Sequence, residues 1–304
     1  MTIEQQTFQG VFPVLPAIFD RHGAVDEGGL RKVLEYAIGA GADGIVFPGL
    51  ASEYEQLTAD ERHALVALLG TWIGGRVHFV VGASAGSLDA IASFASHGAQ
   101  HGASAAMIMT PHALADDLPR MATFLDDVAR NSRLPIILQN APKPMGIGLS
   151  VDALSALVRG APGIELVKEE TPPCGQRITT LLREHVPHLR GVFGGAGGRY
   201  IIDEMNRGAA GTMPACEIVE AHVQMLAAHR AGDVERARDL FEHCLPLLSM
   251  QAIFRWRLTK EVLLRRGLIE SPYTRAPGPV LDADDLKELD ALLLRLRDLI
   301  GGMK

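Results

Sequence analysis

The sequence predicts an α/β fold, a (β/α)8 TIM barrel with a C-terminal helical extension. Two observations predict it. Short apolar runs alternate eight times with segments of helical periodicity, and the connections between them are short. That alternation implies parallel strands with crossover helices. After Pro214 the strand-like runs stop and amphipathic helical segments follow one another. The expected division is a barrel over residues 1–215 and a helical region over residues 216–304.

The elements follow in order. Phe12 to Phe19 is apolar but interrupted by Pro13 and Pro16, an irregular first strand. Leu30, Val33, Leu34, Ala37 and Ile38 recur at helical spacing between Asp26 and Gly41. Gly44 to Phe47 is the second strand. Thr58-Ala59-Asp60-Glu61 is a capping box that opens the next helix. Val77 to Val81 is the third strand, and Ser87 caps a helix to about His101. Ala105 to Met109 is the fourth strand, with a helix from Leu118 to Asn131. Leu134 to Leu138 is the fifth, with a helix from Ser150 to Arg159. Ile164 to Lys168 is the sixth, punctuated by Pro162-Gly163 before and Pro172-Pro173 after, with a helix from Cys174 to His185. Leu189 to Phe193 is the seventh, with a short helix from Tyr200 to Arg207, and Gly211-Thr212-Met213 is the eighth. Four helices complete the chain: Glu217 to Ala231, Asp233 to Met250, Ile253 to Arg266 and Asp282 to Ile300.

Composition limits the function. The chain has 304 residues, 47% apolar, with 21% charged and a net charge of −7, an ordinary balance for a soluble protein with a sizeable core. Nucleic-acid binding requires clustered Lys and Arg, and here they are scattered apart from Arg265-Arg266. No apolar run approaches the length of a membrane span. Met1 to Gln6 is polar and carries no signal-peptide core. Cys174, Cys216 and Cys244 have neither disulfide-framework nor zinc spacing, which points to a reducing cytoplasm. His97 and His101 are four apart on one helix but lack the glutamate of the zinc-protease arrangement, so no metal is expected.

In a parallel barrel the catalytic side chains stand at the C-terminal ends of the strands. Lys168 ends the sixth strand. Desolvation lowers a lysine's pKa, and a neutral amine attacks a ketone to form a Schiff base. Side chains alternate along a strand, so Lys168 and Glu170 share a face and Glu169 points away. A nucleophile and an acid/base group two residues apart on one face are the expected catalytic pair. The turn Gly49-Leu50-Ala51-Ser52-Glu53 after the second strand is expected to hold a carboxylate on the backbone of Ala51 and Ser52, with help from the Ser52 hydroxyl. Gln139-Asn140-Ala141-Pro142 follows the fifth strand, and Met213 stands close to the axis after the eighth. Gly194 to Gly198 matches neither a dinucleotide loop nor a phosphate loop and reads as a tight turn that lets a ligand approach the backbone.

With these loops together, the chain resembles the dihydrodipicolinate synthase / N-acetylneuraminate lyase family over nearly its whole length. The resemblance rests on Gly10-Val11-Phe12-Pro13-Val14-Leu15-Pro16, Gly49 to Glu53 with Leu57 to Arg62, and Thr110-Pro111. It continues through Asn140-Ala141-Pro142, Val167-Lys168-Glu169 and Trp256 to Glu261. It implies a class I mechanism with Lys168 at the Schiff-base position, no cofactor, and a homotetramer built from dimers. The departures are informative. The family's synthases have two adjacent hydroxyl residues where Leu50 and Ala51 stand, and a tyrosine where Gln139 stands. They have tyrosines where His112 and Ala113 stand, and an arginine where only Lys143 is offered. Without that hydroxyl relay the resemblance argues against lysine-pathway condensation. Gln139 cannot titrate, which also argues against plain aldolase chemistry.

Gln139-Asn140-Ala141-Pro142, the Ser52-Glu53 loop and Lys168-Glu169-Glu170-Thr171-Pro172 look like the 2-keto-3-deoxy-sugar-acid dehydratases, especially those acting on 2-keto-3-deoxy-L-arabonate. Those carry aspartate where Asn140 stands. The expectation is a Schiff-base lyase that dehydrates a 2-keto-3-deoxy sugar acid. Lys168, Glu170 and Gln139 are its expected catalytic residues, and Ala51, Ser52, Asn140 and Met213 its expected substrate contacts. The alternatives are a pyruvate-dependent aldolase on the same kind of substrate, and, from another class, a non-catalytic 2-keto-acid-binding barrel.

Overall fold

The computed structural model describes residues 7–301, so the polar Met1–Gln6 stretch lies outside the described residues. Eight strands form one parallel sheet: β1 (Gly10–Val11), β2 (Gly44–Phe47), β3 (His78–Gly82), β4 (Ala105–Met109), β5 (Ile136–Asn140), β6 (Ile164–Glu169), β7 (Gly191–Gly194) and β8 (Gly211–Thr212). Their order is β1-β8-β7-β6-β5-β4-β3-β2. The two ends of that order meet, because Leu15 N–H donates to Val46 O and Val46 N–H donates to Pro13 O, each at 3.0 Å. The result is a (β/α)8 barrel.

Seven helices alternate with the strands: α1 (Glu27–Gly39), α2 (Ala59–Ile73), α3 (Leu88–Gln100), α4 (Leu118–Ser132), α5 (Val151–Gly160), α6 (Cys174–Arg183) and α7 (Ile201–Asn206). Four more follow β8: α8 (Val219–Arg230), α9 (Val234–Phe254), α10 (Trp256–Arg265) and α11 (Ala283–Ile300). Their starts are set by short polar caps. Asp26, Ser87, Asp117, Ser150 and Asp233 each accept a backbone N–H of the first turn, and Thr58 with Glu61 closes the expected capping box. Each such cap is worth about 1 kcal/mol. No helix among the described residues is long and apolar enough to cross a membrane.

Three differences from the expected elements bear on the site. The regular ladder of the first strand is Gly10–Val11 instead of Phe12–Phe19, and beyond it Val14 bridges Val46 and Ala215 singly. Pro13 and Pro16 have no N–H to give a ladder. The fifth strand is shifted to Ile136–Asn140, since Pro135 likewise cannot donate, and Gln139 and Asn140 become strand residues on opposite faces. The break expected between Met250 and Ile253 falls instead at Arg255, where φ is 52° and ψ is −125°.

The core has three parts. Phe12, Val14, Val46, Val80, Met107, Ile137, Leu166, Phe193 and Met213 fill the barrel interior in layers. A larger cluster lies between sheet and helices. A third joins α7 and α8 to α9, α10 and α11. Helix α8 serves both outer clusters, with Val219 in one and Ala221 and Met225 in the other.

Candidate active site

Interior positions on β6 and β5 alternate, so Leu166 and Ile137 fill the barrel while Lys168 and Gln139 follow them on the same face near the C-terminal rim. Lys168 and Gln139 are register partners across the β5–β6 ladder. Glu170 stands just past the end of β6, its N–H donating to Asn140 O at 3.1 Å. Its carboxylate turns back towards the lysine, with Lys168 Nζ 3.4 Å from Glu170 Oε1. Gln139 Nε2 donates to Glu170 Oε2 at 2.6 Å, and Ala196 N–H donates to Glu170 Oε1 at 2.8 Å. Burial pushes the Glu170 carboxyl up, but the Lys168 charge, the Ala196 N–H and the Gln139 amide together hold it below the usual carboxylate range. Glu170 is therefore an anion in contact with an amine.

These groups face a cavity of about 330 Å³ at the C-terminal ends of the strands. Lys168, Glu170, Ala51 and Met213 line it, joined by Leu50, Ala196, Gly197, Arg199, Gln251, Arg255 and Trp256. Four of the seven expected site residues thus line the cavity, and a fifth, Gln139, is buried directly behind Glu170.

Two expected substrate contacts are placed elsewhere. Asn140 is fully buried on the outer face of the sheet. Its Nδ2 donates to Glu169 Oε2 at 3.0 Å, and Leu149 N–H donates to its Oδ1 at 2.9 Å. It anchors Glu169, which also lies 3.1 Å from Arg177 Nε and accepts from Thr171 N–H at 2.6 Å. Burial raises the Glu169 carboxyl despite those partners. The alternation that sends Lys168 inward sends Glu169 and its register partner Asn140 outward. Ser52 is also fully buried, and its hydroxyl proton is taken up. Its Oγ donates to Leu15 O at 2.5 Å and accepts from Gly49 N–H at 2.8 Å, while its N–H donates to Gly49 O at 2.9 Å. The turn is a short 3-10 helix, Leu50–Ser52, and its first N–H groups, those of Leu50 and Ala51, have no intrahelical acceptor. The N–H groups that this turn leaves without an intrahelical acceptor are thus one residue earlier than expected.

The loop is held from behind. Lys260 and Glu53 are fully buried and pair at 2.5 Å. Lys260 Nζ also donates to Tyr273 O at 2.8 Å, and Ala276 N–H donates to Glu53 Oε2 at 2.7 Å. The C-terminal region thereby fixes the rim beside Leu50 and Ala51.

The Gly194–Gly198 run is a tight turn, as read from sequence, and its glycines have a more specific reason. A Cβ on Gly194 would lie 1.8 Å from Glu204 Oε2, and one on Gly195 would lie 2.4 Å from Glu170 Oε1. The run makes room for two carboxylates. Glu204 is fully buried, and burial, with Glu170 and Asp203 nearby, pushes its carboxyl up to about 8. Sequence reasoning missed Glu204, Arg199, Gln251, Arg255 and Trp256. The arginine directly after the glycine run was a usable signal for Arg199. The others reach the site by long-range packing of α7, α9 and α10.

Comparison with known proteins agrees with this architecture. A profile of the dihydrodipicolinate synthetase family matches residues 7–296. The L-2-keto-3-deoxyarabonate dehydratase of Azospirillum brasilense is 29% identical over 296 residues, covering 96% of each chain. A 2-dehydro-3-deoxy-D-pentonate aldolase, so named as probable, from Escherichia coli is 26% identical over 250 residues, covering 81% of this chain and 82% of its own. The crystal structure of a dihydrodipicolinate synthase from Rhodopseudomonas palustris superposes with a TM-score of 0.86 at 25% identity, covering 97% of this chain and 99% of the other.

Proposed function

The chain belongs to the dihydrodipicolinate synthetase family, and from that premise we propose that it is a Schiff-base lyase that removes water from a 2-keto-3-deoxy sugar acid such as 2-keto-3-deoxy-L-arabonate. The observation that carries this reading is the buried pair of Lys168 Nζ and Glu170 Oε1, 3.4 Å apart and facing one cavity. The amine of Lys168 adds to the C2 ketone, and loss of water gives an iminium. The iminium draws electrons, so the C3 proton becomes acidic and passes to Glu170 as the C3–H bond pair forms an enamine. The enamine expels the C4 hydroxyl, which takes the proton held by Glu170 and leaves as water. Tautomerisation and hydrolysis then free the lysine and a product with its carbon chain intact. The C1 carboxylate lies against the Leu50 and Ala51 N–H groups, and Met213 forms the apolar floor.

Gln139 cannot titrate, so it serves to hold Glu170 ionised and aimed. The same residues, with Leu50, Ala51, Gln139 and Ala113 in place of hydroxyl side chains, support neither the synthase relay nor a phenolic acid/base. A non-catalytic binding barrel has no use for an amine and carboxylate buried together in its pocket. The test is borohydride trapping with a panel of 2-keto acids, read by intact mass, followed by product analysis on the best substrate. An adduct on Lys168 and a semialdehyde of unchanged carbon number are expected. Pyruvate as product would assign retro-aldol cleavage instead, and absence of any adduct would overturn the reading.

A further inference from the structure

We propose that Arg199 and Arg255 form a subsite for a second anionic group, a carboxylate or phosphate ester at the end of the substrate remote from the ketone. The proposal rests on the Schiff-base reading above and, within it, ranks dianionic 2-keto acids above 2-keto-3-deoxy-L-arabonate, whose remote end is a neutral hydroxymethyl.

Three cationic side chains, Lys168, Arg199 and Arg255, line the cavity together with one carboxylate, Glu170. Lys168 and Glu170 pair with each other. The substrate's C1 carboxylate is accounted for by the Leu50 and Ala51 N–H groups, and among the described residues neither guanidinium has a carboxylate as hydrogen-bond partner. Their side-chain contacts are weak acceptors for a cation. Arg199 Nη1 donates to the neutral amide of Gln251 at 3.1 Å, and Arg255 Nη2 lies 3.1 Å from the Met145 thioether. Arg255 also lies over the Trp256 ring, 4.3 Å from its centroid.

Arg255 is held in place at a conformational cost. It is the junction of α9 and α10, and its φ of 52° puts a non-glycine residue in the left-handed half of the map. Strain of this kind persists where the surroundings over-determine it, often at binding sites. Here the Arg255 backbone N–H donates to the Gln251 backbone carbonyl at 2.7 Å, and the Gln251 side chain accepts from Arg199, so Gln251 links the two arginine positions on one wall. Burial lowers the Arg255 guanidinium; Glu170 and Glu55 pull it back up and Arg199 pushes it further down. Two cations close enough to repel one another, and partly out of water, are stabilised by a shared anion. A neutral hydroxymethyl terminus supplies none.

The experiment reads borohydride trapping at increasing concentration of three non-cleavable 2-keto acids: 2-oxohexanoate, 2-oxoadipate and 5-phosphooxy-2-oxopentanoate. They share reach and differ in the terminal group, and the last two separate carboxylate from phosphate. The wild-type chain is expected to reach half-maximal trapping at a concentration roughly tenfold to hundredfold lower with one of the dianions than with 2-oxohexanoate, the size of charge-assisted hydrogen bonds. Arg255→Gln and, separately, Arg199→Gln should bring that ratio close to one, while Arg255→Lys keeps part of it. General loss of packing lowers trapping of all three acids and leaves the ratio standing. A wild-type ratio near one, or a ratio unchanged in both glutamine variants, overturns the subsite. Failure of pyruvate and of all three acids to trap would instead overturn the Schiff-base reading itself.

Discussion

The amide of Gln139 donates to the carboxylate of Glu170 at 2.6 Å across 31 residues of chain, and the other oxygen of the same carboxylate lies 3.4 Å from the amine of Lys168. The three side chains are linked through that carboxylate, and a group that cannot titrate helps the lysine hold it ionised. Glu170 is ionised because this arrangement, with the Ala196 N–H, outweighs its burial.

Lys168→Ala should abolish turnover and borohydride trapping together while the far-UV spectrum stays near wild type, because the lost step is covalent. Lys168→Arg should fail equally, since a guanidinium stays protonated at working pH. More than a trace of activity in either variant would remove the lysine from the mechanism.

Glu170→Gln should lower turnover by about 10²–10⁴-fold, the usual contribution of a general acid–base group, while an adduct still forms. Gln139→Ala should act more weakly and through Glu170. Removing a hydrogen bond to the charged form raises a carboxyl pKa, so the acidic limb of the pH–rate profile should move upward. An unmoved limb would mean that Gln139 touches only the substrate.

Asn140 and Glu169 should affect folding more than chemistry. Asn140→Ala leaves a buried carboxylate short of a donor and should destabilise by about 1–3 kcal/mol in denaturant melts. Asn140→Asp sets a second carboxyl against Glu169, whose own carboxyl is already raised by burial. It should therefore lower stability further above the ordinary carboxylate range than below it. An Asn140→Ala variant as stable as wild type but unable to bind substrate would return Asn140 to the cavity.

Lys260→Met should destabilise by roughly 3–5 kcal/mol, because it leaves Glu53 as an unpaired buried charge. Paired removal, Lys260→Met with Glu53→Leu, should recover part of that loss. If the double variant is no better than the single one, the pair is not coupled as its 2.5 Å separation implies.

Glu204 carries a pH signature. Its carboxyl is raised from the ordinary 4.5 to about 8 in the folded chain. The folded state therefore binds the proton more tightly, and the stability linked to it is fully present below the unfolded value and is lost as pH rises through about 8. Glu204→Gln should remove that dependence. Its stability relative to wild type should rise by several kcal/mol, of order 3–5, between pH values of about 4 and 9. Parallel stability–pH curves for the two proteins would show that Glu204 titrates normally.

The sequence by itself determined the βα alternation, most helix starts and the common face of Lys168 and Glu170, because these depend on neighbours a few residues away. Period, caps and strand alternation are local rules, and the Thr58–Glu61 box and the Gly44–Phe47 strand were readable to the residue. Tertiary structure decided which way the next residues faced. The two-residue shift of β5 put Gln139 inside and Asn140 outside, and the hydroxyl of Ser52 was taken by Leu15, a contact made only when β1 and β2 close the barrel. It also decided that Arg199, Gln251 and Arg255 meet at the cavity and that Lys260 reaches Glu53 across 207 residues. No local periodicity encodes such contacts. They exist because the C-terminal helices bury their apolar faces together with α7 and α8, and that packing carries the polar junction at Arg255 over the mouth of the barrel.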